Sequence, residues 1–233
     1  ERRLAQLLGG LSDVDGIEWI RLMYAYPSHF PLEVLDVMRE RENICNYIDI
    51  PVQHADDAVL KSMRRGITRR ATEELLDTIR QRIPGSAVRT TLIVGYPNET
   101  EAAFQSLYDF VQKQEFDRLG VFLYSQEENT TADILGDPIP REVKEERRDA
   151  IMELQSEISQ RKNTARVGQN MRVLCDRVEG EFMVARSEFD APEVDNEVLI
   201  PLREFTGPPP VGRFVNITIT DASEYDLMAT KRS

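Results

Sequence analysis

Apolar runs and charged, helix-forming stretches alternate along the first 140 residues. WIRLMY from Trp19, YIDI from Tyr47, VRTTLIVGY from Val88 and LGVFLY from Leu119 are short and apolar, without strict alternation. Such runs predict strands buried on both faces. Between them lie PLEVLDVMRER from Pro31, AVLKSMRR and ATEELLDTIRQRI, and ETEAAFQSLYDFVQKQ from Glu99. In the last, Thr100 is placed as N-cap, and Ala103, Leu107, Phe110 and Val111 form one apolar side. Strand then helix, repeated, predicts a parallel sheet with helical crossovers. RRLAQLLGGL reads as the tail of a crossover helix stopped by glycine. Four strands do not close a parallel barrel. The chain therefore reads as the later part of a larger α/β unit, with a complete four-stranded open sheet as the alternative.

A charged helix is expected from Pro140, its stripe formed by Val143, Ile151, Leu154 and Ile158. The pattern then changes to short strands: MRVLCDRV, EFMVARSE, EVLIPL and RFVNITITDA. Turn signals at Glu179-Gly180 and Gly207-Pro208 separate them, which predicts a small all-β barrel. The expected division is an α/β domain over 1–163 and a β domain over 164–233.

Charge and cysteine content narrow the function classes. The 233 residues carry 29 basic and 41 acidic side chains, a net charge of -12, which argues against a general nucleic-acid clamp. No run of about 18 apolar residues is present, so no membrane span is expected. The N-terminus lacks the pattern of a secretory signal. Cys45 and Cys175 form neither a disulfide framework nor a metal knuckle, and a reducing cytoplasm is the expected compartment.

Candidate chemistry gathers just beyond the strands' carboxyl ends, where open α/β sheets and barrels bind ligands. Gln53 and His54 follow YIDIP there, with only one of the two expected to point inward. His29, in YPSHFP, follows the first strand and either joins the site or shapes the turn. The turn Gly95–Glu99 leads from the third strand into a helix, without the glycine pattern of a Rossmann or phosphate loop. Arg89 and Thr91 share one side of that strand, and an interior arginine demands an anionic partner. Arg64, Arg65 and Arg69 form a basic cluster that suits an anion or a solvated helix end. Tyr124, Glu127 and Glu128 follow the fourth strand onto the same rim. No HExxH, nucleophile elbow or CxxC exists, so residue chemistry alone reaches only a small-molecule pocket.

Three stretches carry a resemblance: YPSHFPLEVLDVMRERENICNYIDIPVQHADDAVLKSMRRGITR, RTTLIVGYPNETEAAF and FDRLGVFLYSQEENTTA. With VDNEVLI and VGRFVNITITDASEYDL at the end, the chain resembles the later part of the radical S-adenosylmethionine methylthiotransferases over almost its whole length. The resemblance implies the last four strands of a partial TIM-like barrel followed by a small OB-like TRAM barrel. It implies S-adenosylmethionine and two [4Fe-4S] clusters as cofactors of the full protein, with the cluster cysteines absent from this chain. The chain is accordingly expected to be a fragment or partly ordered region, inactive alone. Carried over by position, Gln53, His54, Arg89, Gly95 and Glu99 become cofactor-binding candidates, and Arg64, Tyr124, Glu127 and Glu128 a substrate rim. Asn98, Gln126 and Asn129 depart from the family pattern, which usually has glycine, histidine and glycine there.

The implied reaction uses a cofactor-derived radical to remove hydrogen from the β-carbon of an aspartate, followed by methylthio insertion. The closer branch acts on the small-subunit ribosomal protein twelve. A tRNA-modifying branch and a non-enzymatic ribosome-associated module are the alternatives. From residue 165 onward there are twelve acidic residues against eight basic ones, which favours a basic protein partner over tRNA. Glu188, Asp190, Glu193, Asp195 and Glu197 are the expected docking residues, and a monomer is expected.

Overall fold

The computed structural model describes residues 3–232. Four strands form an open sheet in the order β1 (Ile20–Leu22), β2 (Ile44–Asp49), β3 (Ala87–Val94), β4 (Arg118–Leu123). Every neighbouring pair is parallel, with Leu22 opposite Ile48, Ile48 opposite Val88 and Leu92 opposite Val121. The alternating strands and helices had predicted this arrangement.

Helices α1 (Leu4–Ser12), α2 (Glu33–Glu40), α3 (Asp57–Ser62), α4 (Arg69–Arg82) and α5 (Glu101–Gln114) accompany the strands, and the long α6 (Arg141–Thr164) follows them. Thr100 caps α5 as expected, its hydroxyl accepting from the Ala103 amide at 3.2 Å. Thr68 caps α4 in the same way. Two details differ from the sequence reading. Gly9 and Gly10 lie inside α1, which ends through Asp13. Pro140 sits at the N-cap position of α6, one residue outside the helix.

Strand alternation divides the sheet's side chains between two environments. Ile44, Ile48, Val88, Leu92 and Val94 face the helices, packing with Leu35, Leu76, Ile79, Leu107 and Phe110 into the main core. Cys45, Tyr47 and Ala87 face the other way, with Trp19 and Met23 beside them. On a complete barrel this second face would look inward. Here Phe189 and Ala191, from the β domain, pack onto part of it.

The second unit is a closed five-stranded barrel: β5 (Asn170–Glu179), β6 (Phe182–Ser187), β7 (Glu197–Pro201), β8 (Phe214–Ala222) and β9 (Asp226–Lys231). Four of its strands were expected. The fifth, β9, was missed because DLMATK is short and only partly apolar; Leu227 and Ala229 nonetheless point into the barrel core. Closure leaves no free edge to template association. In the first sheet, β1 and β4 remain edges.

Phe110 of α5 is fully buried, against Phe116 at a 5.8 Å ring separation. Phe110→Ala is expected to lower stability by about 3–5 kcal/mol, measured by chemical denaturation. A loss below about 1 kcal/mol would mean that this helix-facing layer is not a packed core.

Candidate functional site

β2 ends at Asp49, and Pro51 breaks the ladder because it has no amide to donate. The chain then bulges: Gln53 takes φ +73° and re-pairs with β3, its amide donating to Thr91 O and its carbonyl accepting from Ile93 N. This bulge sends the next residue, His54, into the interior, where it is completely buried. Only one of the pair points inward, as the strand period requires. The Gln53 side chain is partly exposed and makes no hydrogen bond within the protein.

His54 Nδ1 accepts from the Asp56 amide at 2.9 Å, so the ring proton belongs on Nε2. Nε2 lies 3.3 Å from Glu99 Oε2, close but outside hydrogen-bond geometry. Glu99 is 4% exposed, and both its oxygens are engaged. Oε2 accepts from the Gly95 amide at 2.9 Å, and Oε1 accepts from Arg147 Nη1 of α6 at 2.8 Å. Two strand-end loops and the long helix therefore meet at one buried carboxylate.

Gly95 carries a second constraint. Its φ of +75° suits glycine, and a Cβ there would collide with Cγ and Cδ of Lys144, whose stem crosses directly above. The Lys144 ammonium donates to Tyr124 O at 2.9 Å and pairs with Asp137. The loop after β4 is thus tied to the turn after β3. Tyr124 stacks edge-on against Tyr96 at 5.1 Å. Glu127, Glu128 and Arg64 are exposed. Asn129 takes φ +64°, the conformation a glycine would adopt. Asparagine tolerates that region better than most residues.

The expected basic cluster does not form. Arg65 donates to Pro51 O at 2.7 Å and lies over the Tyr26 ring, while Arg69 pairs with Glu73. Only Arg64 faces solvent.

The inward sheet face holds charges that the sequence reading did not assemble. Arg89 has the anionic partner it demanded, and it is internal. Nη1 donates to Asp49 Oδ1 at 3.0 Å, and Nε lies 3.4 Å from Asp195 Oδ1. Asp49 Oδ2 accepts from the Tyr24 amide at 3.1 Å, fixing the loop after β1. Asp195 Oδ2 accepts from Tyr47 Oη at 2.6 Å and from Ala191 N at 2.8 Å. Burial pushes the Asp195 carboxyl above its ordinary range despite these bonds.

These contacts correct the docking assignment. Asp190 is 1% exposed and bound by Arg118, through Nε at 3.0 Å and Nη2 at 2.5 Å. The Asp195 side chain is 1% exposed, and Glu188 accepts from the Asn46 amide and side chain, both at 3.1 Å. Arg21 donates to the carbonyls of Ser187 and Glu188. Three of the five acids thus clasp the barrel to the sheet, and Asp190 is closed to any partner. Glu197 pairs with Arg177 at 2.8 Å, and Glu193 alone is both exposed and unpaired.

An iron–sulfur cluster does not fit these residues. Cys45 and Cys175 are buried in different cores, desolvation pushes both thiols up to about 11, and the described residues contain no metal-ligating group. For a nucleoside cofactor, Gln53 offers the one uncommitted polar side chain among the cofactor candidates. His54, Arg89, Gly95 and Glu99 bind one another, other side chains or backbone.

The parallel sheet, the turn after β3 and the trailing barrel have counterparts in known proteins. The model for the Radical SAM superfamily matches residues 2–111, and that for the TRAM domain matches residues 167–231. The chain belongs to the radical SAM superfamily and carries a TRAM domain. Among curated relatives, the protein named ribosomal protein uS12 methylthiotransferase RimO from Flavobacterium johnsoniae is 54% identical over 227 residues. That alignment takes in 97% of this chain and 52% of the relative. The protein of the same name from Chloroherpeton thalassium is 52% identical over 231 residues, 99% of this chain and 53% of its own. The chain spans about half the length of the curated relatives it matches. In fold it resembles the Escherichia coli radical SAM enzyme HemN, a coproporphyrinogen III oxidase. That match has a TM-score of 0.53 at 22% identity and covers 68% of this chain and 36% of that one.

Gly95→Ala is expected to destabilise by about 1–3 kcal/mol, combining φ strain with overpacking against Lys144. Adding Lys144→Ala removes the collision but not the strain, so the double variant should cost less than the two single changes together. Denaturant midpoints measure both. Full additivity would show that the lysine stem does not constrain the turn.

Neither thiol should react with an aromatic disulfide reagent at neutral pH in the folded protein, and both should react in denaturant. Stoichiometric labelling of the native chain would contradict their burial.

Proposed function

We propose that this chain forms the later part of the radical SAM domain and the TRAM domain of a methylthiotransferase acting on an aspartate of ribosomal protein uS12. The observation that carries this reading is 54% identity to a relative of that name across 97% of the chain. The alignment behind that figure runs through both units.

In this reading the bound cofactor and its clusters supply the radical and the sulfur, and the cluster ligands come from outside these residues. This chain's own groups have positional roles. The Glu99 carboxylate, through the Gly95 amide and Arg147, locks the turn that faces the cofactor. Asp49 fixes the loop after β1 through the Tyr24 amide. Gln53 presents its free amide to the cofactor's polar groups, and Tyr124, Glu127 and Glu128 frame the substrate's approach. Removing hydrogen from an unactivated carbon is beyond ordinary acid–base groups, so orientation is the protein's contribution. The acidic balance of the β domain suits a basic protein substrate better than a phosphate backbone.

The test is a chimera in which this chain replaces the matching half of the Flavobacterium johnsoniae relative, reconstituted anaerobically with clusters. Mass spectrometry of uS12 is expected to show one added methylthio group on an aspartate. Modification of tRNA instead, or none of uS12 while the parental relative is active, would overturn the reading. In the same chimera, Gln53→Ala should raise the Kd for S-adenosylmethionine by about 3–30-fold, corresponding to a lost hydrogen bond or two. Unchanged affinity by calorimetry would remove Gln53 from the site.

A further inference from the structure

At the seam between the two units, beside the β4 edge, lies a cavity of about 390 Å³. It is bounded by α6, the start of β4, the 193–197 segment and the β8–β9 turn. Five carboxylates line it, those of Asp117, Glu193, Asp195, Glu197 and Asp226, against two guanidiniums, Arg89 and Arg118. Ion-pair partners outside the lining leave this imbalance unchanged, and only Arg166, beside Asp117 and Asp190, reduces it by one charge. Asp49 and Asp190 neutralise the two arginines, while Lys162 and Arg177 neutralise Asp117 and Glu197. Glu193, Asp226 and the shared Asp195 are left as a net negative wall. Burial pushes the Asp226 carboxyl up, and Glu197 and Glu224 add to the shift. The excess of carboxylates over guanidiniums in the lining is what favours a cation.

A second observation concerns neutral groups. Gln155 and Ser159, one turn apart on α6, line the same cavity and are 3% and 2% exposed. Gln155 Nε2 is bonded to Phe116 O, yet Gln155 Oε1 and Ser159 Oγ have no partner. Asn196, also in the wall, leaves its Nδ2 unpartnered. A buried acceptor without a donor costs about 1–3 kcal/mol. Such orphans in a native structure point to a ligand or water that completes them.

We propose that this cavity receives an arginine side chain of the basic protein substrate, anchoring that protein at the seam while its aspartate reaches the strand-end rim. This rests on the function proposed above. A guanidinium brings five donors and no acceptor, which matches the wall's carboxylates and the two unpartnered oxygens of Gln155 and Ser159, though not the Asn196 donor. β4 has six residues and spans roughly 20 Å at about 3.3 Å each. One small protein can therefore contact both the seam and the rim. The site also explains how an acidic barrel can select a basic partner although three of its five clustered acids are spent on the clasp.

Two measurements on the 233-residue chain test this. In the first, side-chain amide NMR signals of Gln155 and Asn196 are followed during titration with N-acetyl-arginine amide. The neutral isostere N-acetyl-citrulline amide serves as control. Saturable shifts are expected with the arginine probe alone, at a Kd on the order of 1 mM for one side chain. They should be lost in Glu193→Gln and Asp226→Asn, which keep size and hydrogen-bonding capacity. Equal response to citrulline, or none to arginine, overturns the site. In the second, calorimetry with uS12 is expected to show affinity falling about tenfold in each variant. Unchanged uS12 affinity in variants that have lost the arginine response overturns the assigned occupant. The methylthio-transfer test of the chimera reads separately: a chimera inactive on uS12 sinks the function while the arginine titration still reports on the cavity.

Discussion

Buried charge must be paired, and that requirement ties the two units together. Arg118 on β4 and Asp190 of the β domain are 6% and 1% exposed, and neither has solvent as an alternative partner. Around them, Tyr47 and Arg89 meet Asp195, Asn46 meets Glu188, and Arg21 takes the carbonyls that precede Phe189. An isolated ion transferred to such an interior costs several kcal/mol, so each half carries groups that are satisfied only when the other is in place. The barrel is consequently not a loosely tethered module. It covers part of the sheet's inward face and shares the carboxylate that steadies Arg89.

The same arginine leads to the rim. Arg89 holds Asp49, and Asp49 holds the amide of Tyr24 at the end of β1. On the other side, Glu99 joins the turn after β3 to α6, and Lys144 of that helix reaches the loop after β4. The strand-end loops, which in the proposed function present cofactor and substrate, are thereby fixed by buried polar contacts rather than by their own sequence. Such pre-organisation is what radical chemistry asks of its protein, because a misplaced hydrogen is simply not abstracted.

Local signals made much of this fold legible. Apolar runs located all four parallel strands, and Thr100 marked a helix start through its hydroxyl cap. Turn glycines, such as Gly180 at φ +56°, delimited the barrel hairpin. What the sequence hid was the pairing of distant charges. Asp190 and Asp195 stand in a run of acids with a proline and an asparagine, which reads as a solvated turn. Their partners, Arg118 and Tyr47, are 72 and 148 residues away. One clue was present: Arg89 and Arg118 each interrupt an apolar strand, where a cation needs an anion. The number of such strand arginines implied buried acids somewhere, but not which ones.

The claim on which the account rests is that Arg118 and Asp190 stabilise the molecule as a pair across the two units. A double-mutant cycle measures it directly, with Arg118→Met, Asp190→Leu and the double variant compared by denaturant unfolding. Each single change strands a buried charge and should cost about 3–5 kcal/mol, while the double change should cost much less than their sum. A coupling of at least about 2 kcal/mol, with both units unfolding in one transition, is the predicted result. Additive losses, or a barrel that unfolds apart from the sheet in the unmodified chain, would contradict it.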